Sequence, residues 1–188
     1  MAIEYERKFS ATPTQLEKAH DYLQAAWHTV TMETTYFDTA DGSLSARKWM
    51  LRRRLENGQP VCTLKTPAGD ARNEWECSGE VNITELCKLG APRELISLTQ
   101  NGVQPICGAA FTRRAATLSV EGAEVEVALD EGILFAGERR EPLCELEVEL
   151  KSDTKAAADK FAQNLATLFS LREQPDSKFK RARTLLTK

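Results

Sequence analysis

The chain has few of the residues on which nucleophile and transition-metal chemistry usually rests. Its 188 residues include two histidines, His20 and His28, both in or just after a predicted helix. A histidine-centred catalytic or metal site is therefore not expected. The five cysteines, Cys62, Cys77, Cys87, Cys107 and Cys144, are odd in number, widely spaced and without a Cys-x-x-Cys pair. That pattern argues against a disulfide framework or a zinc site and for reduced thiols in a cytoplasmic protein. No run approaches the roughly 20 apolar residues of a membrane-spanning helix. Charged residues begin at Glu4, which leaves no room for the apolar stretch of a signal peptide. The net charge of -3 gives no bulk field that would draw nucleic acid or a membrane, so any highly charged ligand must be recognised by local segregation of charge. There is no internal repeat, low-complexity segment or linker, and residues 1–188 read as a single domain large enough to bury a core.

What the chain has in quantity is alternation. Side chains on a strand change face with a period of two. Ile3–Phe9 puts Glu4, Glu6 and Lys8 on one face and Ile3, Tyr5, Arg7 and Phe9 on the other. The same reading separates Arg52 and Arg54 from Arg53, and Thr63 and Lys65 from Cys62 and Leu64. It also sets Arg72, Glu74 and Glu76 against Trp75 and Cys77, and Glu124, Glu126 and Asp130 against Val125, Val127 and Leu129. In the last strand Glu145, Glu147 and Glu149 oppose Leu146, Val148 and Leu150. Arg113 shares a face with Ala115 and Thr117; a bulge would substitute Arg114.

Asn57-Gly58 predicts a tight hairpin. Thr12-Pro13 predicts a helix start, with the helix running to about Trp27. Two short helices, Ile83 to Gly90 and Pro92 to Thr99, and irregular structure from Gly102 to Gly108 follow. A long helix capped near Ser152 or Asp153 carries Phe161, Leu165, Leu168 and Phe169, and Ser177 opens a basic helical tail in which Lys180, Arg181 and Arg183 read as solvated.

The charged faces sort by strand into acidic and basic sets, whereas a face that is merely wet would mix them. A sheet closing on itself with those faces inward would be costly if empty, because buried charges need partners. A hard divalent ion along the acidic wall and a polyanion along the basic wall would supply them. Arginine pairs suit phosphate because the guanidinium fork binds two oxygens at once.

At this point the sequence resembles a known family. Glu4-x-Glu6-x-Lys8, Tyr36-Phe37-Asp38-Thr39, Leu51-Arg52-Arg53-Arg54, Thr63-Leu64-Lys65, Arg72-x-Glu74-x-Glu76, Ala128-Leu129-Asp130-Glu131-Gly132, Glu145-Leu146-Glu147-Val148-Glu149-Leu150 and Ser177-Lys178 look like the CYTH, or triphosphate tunnel metalloenzyme, superfamily. The order and wording are most similar to bacterial inorganic triphosphatases. Some of those carry a further helical CHAD domain, for which the chain has no room.

The resemblance implies an α+β fold with a closed eight-stranded antiparallel β-barrel, a charged lumen and outer helices. It implies metal-dependent hydrolysis of a triphosphate, chiefly inorganic tripolyphosphate, with Mg2+ or Mn2+ as cofactor. A small-molecule polyanion would be the partner, and the protein a monomer or homodimer. Metal ligation then falls on Glu4, Glu6, Asp130, Glu147 and Glu149, with Glu145 either a ligand or a residue of the lumen mouth. The candidate phosphate ligands are Lys8, Arg52, Arg54, Lys65, Arg113 and Lys178, with Arg72 either among them or in internal salt bridges with Glu74 and Glu76. Glu4, Glu6, Lys8 and Lys65 are expected at the chemistry, and Tyr36 is either a donor to phosphate or water or a packed ring. Arg7 and Arg53 are expected to point outward. Rival readings are an adenylate cyclase or thiamine triphosphatase of the same superfamily, and a non-catalytic polyphosphate-binding module. No Ser/His/Asp or Cys/His arrangement suggests a covalent intermediate.

Overall fold

Each alternating stretch becomes a strand, and the helices cover the apolar faces. The computed structural model describes residues 2–69, 71–152 and 154–187, with the side chains of residues 2–4 outside the description. The N-terminal strand is divided at Tyr5 into β1 (Ala2–Glu4) and β2 (Glu6–Ser10). Then come α1 (Pro13–Leu23), β3 (His28–Asp38), α2 (Ser43–Ala46), β4 (Met50–Glu56), β5 (Gln59–Ala68) and β6 (Ala71–Ser78). The short α3 (Ile83–Lys88) and α4 (Glu94–Leu98) precede the long β7 (Gln104–Val120), β8 (Ala123–Ala136) and β9 (Arg139–Leu150). The chain continues through α5 (Lys155–Leu168), β10 (Arg172–Glu173) and α6 (Lys178–Thr184).

All the strands join one sheet in the order β1-β6-β5-β4-β3-β7-β8-β9-β2-β10, and every pairing is antiparallel. The expected closed eight-stranded barrel is corrected in this respect. The ladder has ten segments, or nine strands when β1 and β2 count as one, and no ladder among the described residues joins its two ends. The ends are instead brought together by the chain: β1 pairs with β6, β2 pairs with β9, and only Tyr5 separates them. A single strand therefore links the two ends of a strongly curled sheet: its first half forms one margin, and its second half lies at the other with only the two-residue β10 outside it.

Three apolar clusters hold this arrangement. Leu16 and Ala19 of α1 and Ala158, Ala162 and Leu165 of α5 pack on Phe9, Val125, Val127, Leu129, Leu146 and Val148. Leu44, Leu86 and Leu95 of α2–α4 cover Leu51, Cys62, Leu64 and Trp75. Ala182 of α6 and Leu185 beyond it join Met32, Tyr36, Met50, Phe111, Leu134 and Leu143. The first two clusters lie on the apolar faces that alternation assigns; the third lies on the charged side, where Met32, Tyr36, Met50 and Phe111 line the same cavity as Arg52, Arg54 and Arg113.

Several boundaries differ from expectation. Helix α1 is capped by Thr12 in a reciprocal box with Gln15, but it stops at Leu23 because Gln24 takes a left-handed conformation (φ 45). Segment 102–108 is not irregular throughout, since β7 already starts at Gln104 opposite Asp38. Thr154, not Ser152, precedes α5; Asp153 lies outside the described residues, and the Ser152 hydroxyl accepts from the Glu124 amide at 3.0 Å.

Candidate active site

Register brings the charged faces together row by row. Across β2, β9 and β8, Glu6, Glu149 and Glu126 lie side by side; the next row is Lys8, Glu147 and Ala128, and the third is Ser10, Glu145 and Asp130, with Arg113 of β7 opposite Asp130. Facing strands contribute Tyr36 opposite Arg52, Thr34 opposite Arg54, and Lys65 opposite Glu74. Their side chains line a cavity of about 740 Å³, together with an apolar strip that includes Val30, Met32 and Phe111.

The deepest part of the acidic wall is already neutralised by the protein. The Lys178 ammonium lies 2.8 Å from Asp130, 2.7 Å from Glu145 and 2.6 Å from Glu147. Arg113 makes a two-pronged contact with Asp130 (2.8 and 2.7 Å) and also donates to Glu147. Arg181 donates to Glu145 and lies 3.1 Å from Glu141. Asp130, Glu145 and Glu147 thus face Lys178, Arg113 and Arg181, three charges against three. Burial opposes ionisation of Glu147, yet Lys178, Arg113 and Lys8 hold its carboxyl well below the usual range. Burial likewise disfavours the Lys178 ammonium, but Asp130, Glu147 and Glu145 raise its pKa well above the ordinary lysine value. For Glu145 burial wins, and its pKa is raised despite Lys178.

Oxygen atoms of Asp130, Glu145 and Glu147 lie within 4.8 Å of one another, a spacing that suits a cation. The Lys178 ammonium takes that place in this structure. The first row is different. Glu6 contacts Lys8 at 2.9 Å, Glu149 contacts Lys151 at 2.8 Å, and Glu126 lies 3.9 Å from Lys151. All three glutamates line the cavity, as does Glu147. An all-carboxylate donor set open to the cavity fits a hard ion such as Mg2+ or Mn2+.

The basic wall is paired more loosely. Arg52 and Lys65 reach Glu74 at 3.7 and 3.5 Å, while Arg54 contacts Glu56 and lies 3.8 Å from Glu76. Thr63 donates to Glu76 at 3.1 Å. Burial and the adjacent Arg52 hold the Arg54 guanidinium below its usual value. Glu74 and Glu76 therefore act as internal counter-ions of the wall, and Arg72 lines the cavity with no ion-pair partner among the described residues. Tyr36 is buried with its ring 5.0 Å from Phe179; it also lines the cavity, and burial raises the pKa of its phenol.

Outward residues behave as alternation requires. Arg7 pairs with Asp159 (3.4 Å) and Glu173 (2.8 Å), Arg53 with Glu80 (3.1 Å), and Arg114 with Glu17 (2.7 Å). Of the expected ligands, the Glu4 side chain lies outside the described residues. Two expectations are corrected. Glu145 is fully buried beneath Lys178 and Arg181, not at a lumen mouth. Arg181 is not a solvated residue; it stands three positions after Lys178, one helical turn along the same face, and that spacing was the available signal. Glu126 falls on the acidic face by alternation, but the motif around Asp130 does not reach it.

The architecture is thus a curled antiparallel sheet whose inner face carries an acidic and a basic wall. The CYTH domain matches residues 2–182, and the chain belongs to that family. It is 32% identical over 125 residues to an inorganic triphosphatase of Haemophilus influenzae, a match spanning 63% of this chain and 35% of that protein. The match thus spans about a third of the length of that curated relative. Among solved structures, a Pyrococcus horikoshii protein superposes with a TM-score of 0.65 at 19% identity, covering 98% of this chain and 99% of that one. A Hippeastrum protein studied as an adenylyl cyclase, and described as revealing a dominant triphosphatase activity, superposes with a TM-score of 0.64 at 18% identity, covering 98% and 96%. These two likenesses establish the fold. No helix among the described residues is long and apolar enough to cross a membrane.

Proposed function

We propose that this chain hydrolyses a triphosphate, with inorganic tripolyphosphate as the substrate and orthophosphate and pyrophosphate as products. The observation that carries the reading is the pair Arg52 and Arg54, side by side on the half-buried basic wall: Arg52 is held by Glu74 only at 3.7 Å, and Arg54 by Glu56 and, at 3.8 Å, by Glu76. At Arg54 burial and the neighbouring Arg52 outweigh Glu56 and Glu76 and hold the guanidinium below its usual value, and the negative charge of a phosphate chain would offset that. The inorganic triphosphatase relative supports the same choice of substrate.

In this reading Arg52, Arg54, Lys65 and Arg72 bind the phosphate oxygens and fix the chain along the basic wall. Lys8 stands between Glu6 and Glu147 and places a further positive charge beside the acidic row. Glu6, Glu126 and Glu149, with Glu147 behind them, would hold Mg2+ or Mn2+, which offsets charge on phosphate oxygens and makes water more acidic. Water attacks the terminal phosphorus, the bridging P–O bond breaks, and the water proton leaves through the carboxylate row to solvent. Tyr36, kept protonated by burial, is a neutral donor at the cavity surface. Lys178 orients the acidic wall, its three donors directed at Asp130, Glu145 and Glu147, and Arg113 braces the same wall through its Nε and Nη2. The cysteines are poor nucleophiles: burial pushes Cys107 up to about 12 and Cys62 to about 11.

Orthophosphate release from tripolyphosphate, thiamine triphosphate and ATP, each with Mg2+ or Mn2+, tests the reading beside Glu6→Ala and Glu149→Gln. Metal-dependent release, fastest from tripolyphosphate and reduced at least about 100-fold in both variants, is expected. Cyclic AMP and pyrophosphate from ATP would replace this reading with the cyclase. Tight binding of tripolyphosphate with no product at all would leave a binding module.

A further inference from the structure

A second cavity of about 600 Å³ opens where α6, the turn after α2 and the β5–β6 hairpin converge. Its lining includes Lys48, Arg72, Lys180 and Arg183, and among the described residues it contains no carboxylate. Met50, Arg72, Ser177 and Phe179 line both cavities, so the two are adjoining spaces that share a boundary.

The charge balance of the two spaces is opposite. In the main cavity nearly every cation has an acidic neighbour on the same wall. Here Lys180 has Asp176 at 2.6 Å, whereas Lys48 and Arg72 have no ion pair among the described residues, and the Arg183 guanidinium lies 6.0 Å from the Phe179 ring centre. Like charges gathered around one concavity raise the potential there and attract a mobile anion. Lys48 is held in place by its own backbone: it takes a left-handed conformation (φ 59), its amide donates to Ser45 at 2.9 Å, and the following Trp49 amide donates to Leu44 at 2.9 Å.

We propose that this vestibule is a second anion site, which holds the phosphate groups of a linear polyphosphate beyond the third. It rests on the reading that the main cavity takes a triphosphate. A chain lying along Arg52, Lys65 and Arg72 has Arg72 as its last contact in the first space and its first contact in the second. Among the described residues Lys48, Arg72 and Arg183 offer the added phosphates cations with no ion pair to displace, while Lys180 is shared with Asp176. The protein is therefore selective for chain length and binds four linked phosphates more tightly than three.

Calorimetric titration of the full chain with linear tripolyphosphate, linear tetrapolyphosphate and ATP tests this, using wild type and a Lys48→Asn/Arg183→Gln variant. Both positions are exposed, and Asn tolerates the left-handed backbone at position 48. The variant is expected to lose about tenfold in affinity for tetrapolyphosphate and to stay within about twofold of wild type for tripolyphosphate. Equal losses for the two chains, or no loss for either, would overturn the vestibule while leaving the main cavity as read. A loss confined to ATP would assign the space to a nucleoside and overturn the polyphosphate reading. Failure of the wild type to bind any of the three would remove the triphosphate reading and this one together.

Discussion

At the scale of single residues, the instructive one is Lys178. Motif resemblance makes it a phosphate ligand; the geometry makes it the internal cation of three carboxylates. Its ammonium has three donors, and three acidic partners lie within 2.8 Å. Replacing it by Met keeps the length and removes the charge, which leaves buried carboxylates uncompensated. Lys178→Met is expected to lower stability by about 3–5 kcal/mol at neutral pH in denaturant unfolding. The acid dependence gives the sign. Glu147 is depressed in the folded state, so its contribution is present above the unfolded value of 4.5 and lost as pH falls below it. The penalty of Lys178→Met should therefore shrink as pH drops through that range, since protonation relieves the repulsion that the variant creates. A variant as stable as wild type at pH 7 would return Lys178 to the substrate-binding set.

At the scale of elements, most strands and their inner faces could be read from the sequence because a period of two needs no tertiary information. The pairs Glu147/Glu149 and Arg52/Arg54 were legible for that reason, as was the outward direction of Arg7 and Arg53. The start of β7 was not. The segment from Gly102 to Gly108 reads as irregular, but β3 supplies partners and absorbs the misfit as a register shift between Tyr36 and Phe37, beyond which Pro105 sits opposite Phe37. The hydrogen-bonding of the margins was equally invisible, because the division of one strand between two partners at Tyr5 leaves no local signature.

Close packing between strands yields a sharper test. A Cβ on Gly132 of β8 would lie 2.2 Å from the Ala110 carbonyl oxygen and 2.5 Å from the Phe111 Cα. Both obstacles are backbone, so neither can rotate away. Gly132→Ala is expected to cost at least about 2 kcal/mol by thermal or denaturant unfolding. It should also loosen the β7–β8 ladder that sets Arg113 against Asp130. A neutral substitution would show that the ladder has more slack than this spacing allows.

At the scale of the molecule, the site belongs to no single element. Glu6 and Lys8 come from β2, Arg52 and Arg54 from β4, Lys65 from β5, Arg72 from β6, and Glu147 and Glu149 from β9. The two walls meet only because the sheet curls until β6 and β9 share the N-terminal strand, so the fold and the binding surface form together. A polyanion bound with a divalent ion, as proposed, would touch both walls and act as a brace that the unfolded chain cannot bind. At a hundredfold excess over its dissociation constant such a ligand adds about 2.7 kcal/mol, which for a chain of this size raises the melting temperature by roughly 5–10 °C. Differential scanning fluorimetry should show that rise with tripolyphosphate and Mg2+ together, and a smaller one with tripolyphosphate and a chelator. Orthophosphate, too short to span the walls, should produce little change. If orthophosphate stabilised the protein as well as tripolyphosphate at matched excess, the walls would be binding phosphate groups independently, and the picture of one chain laid along the basic wall opposite the acidic row would have to be abandoned.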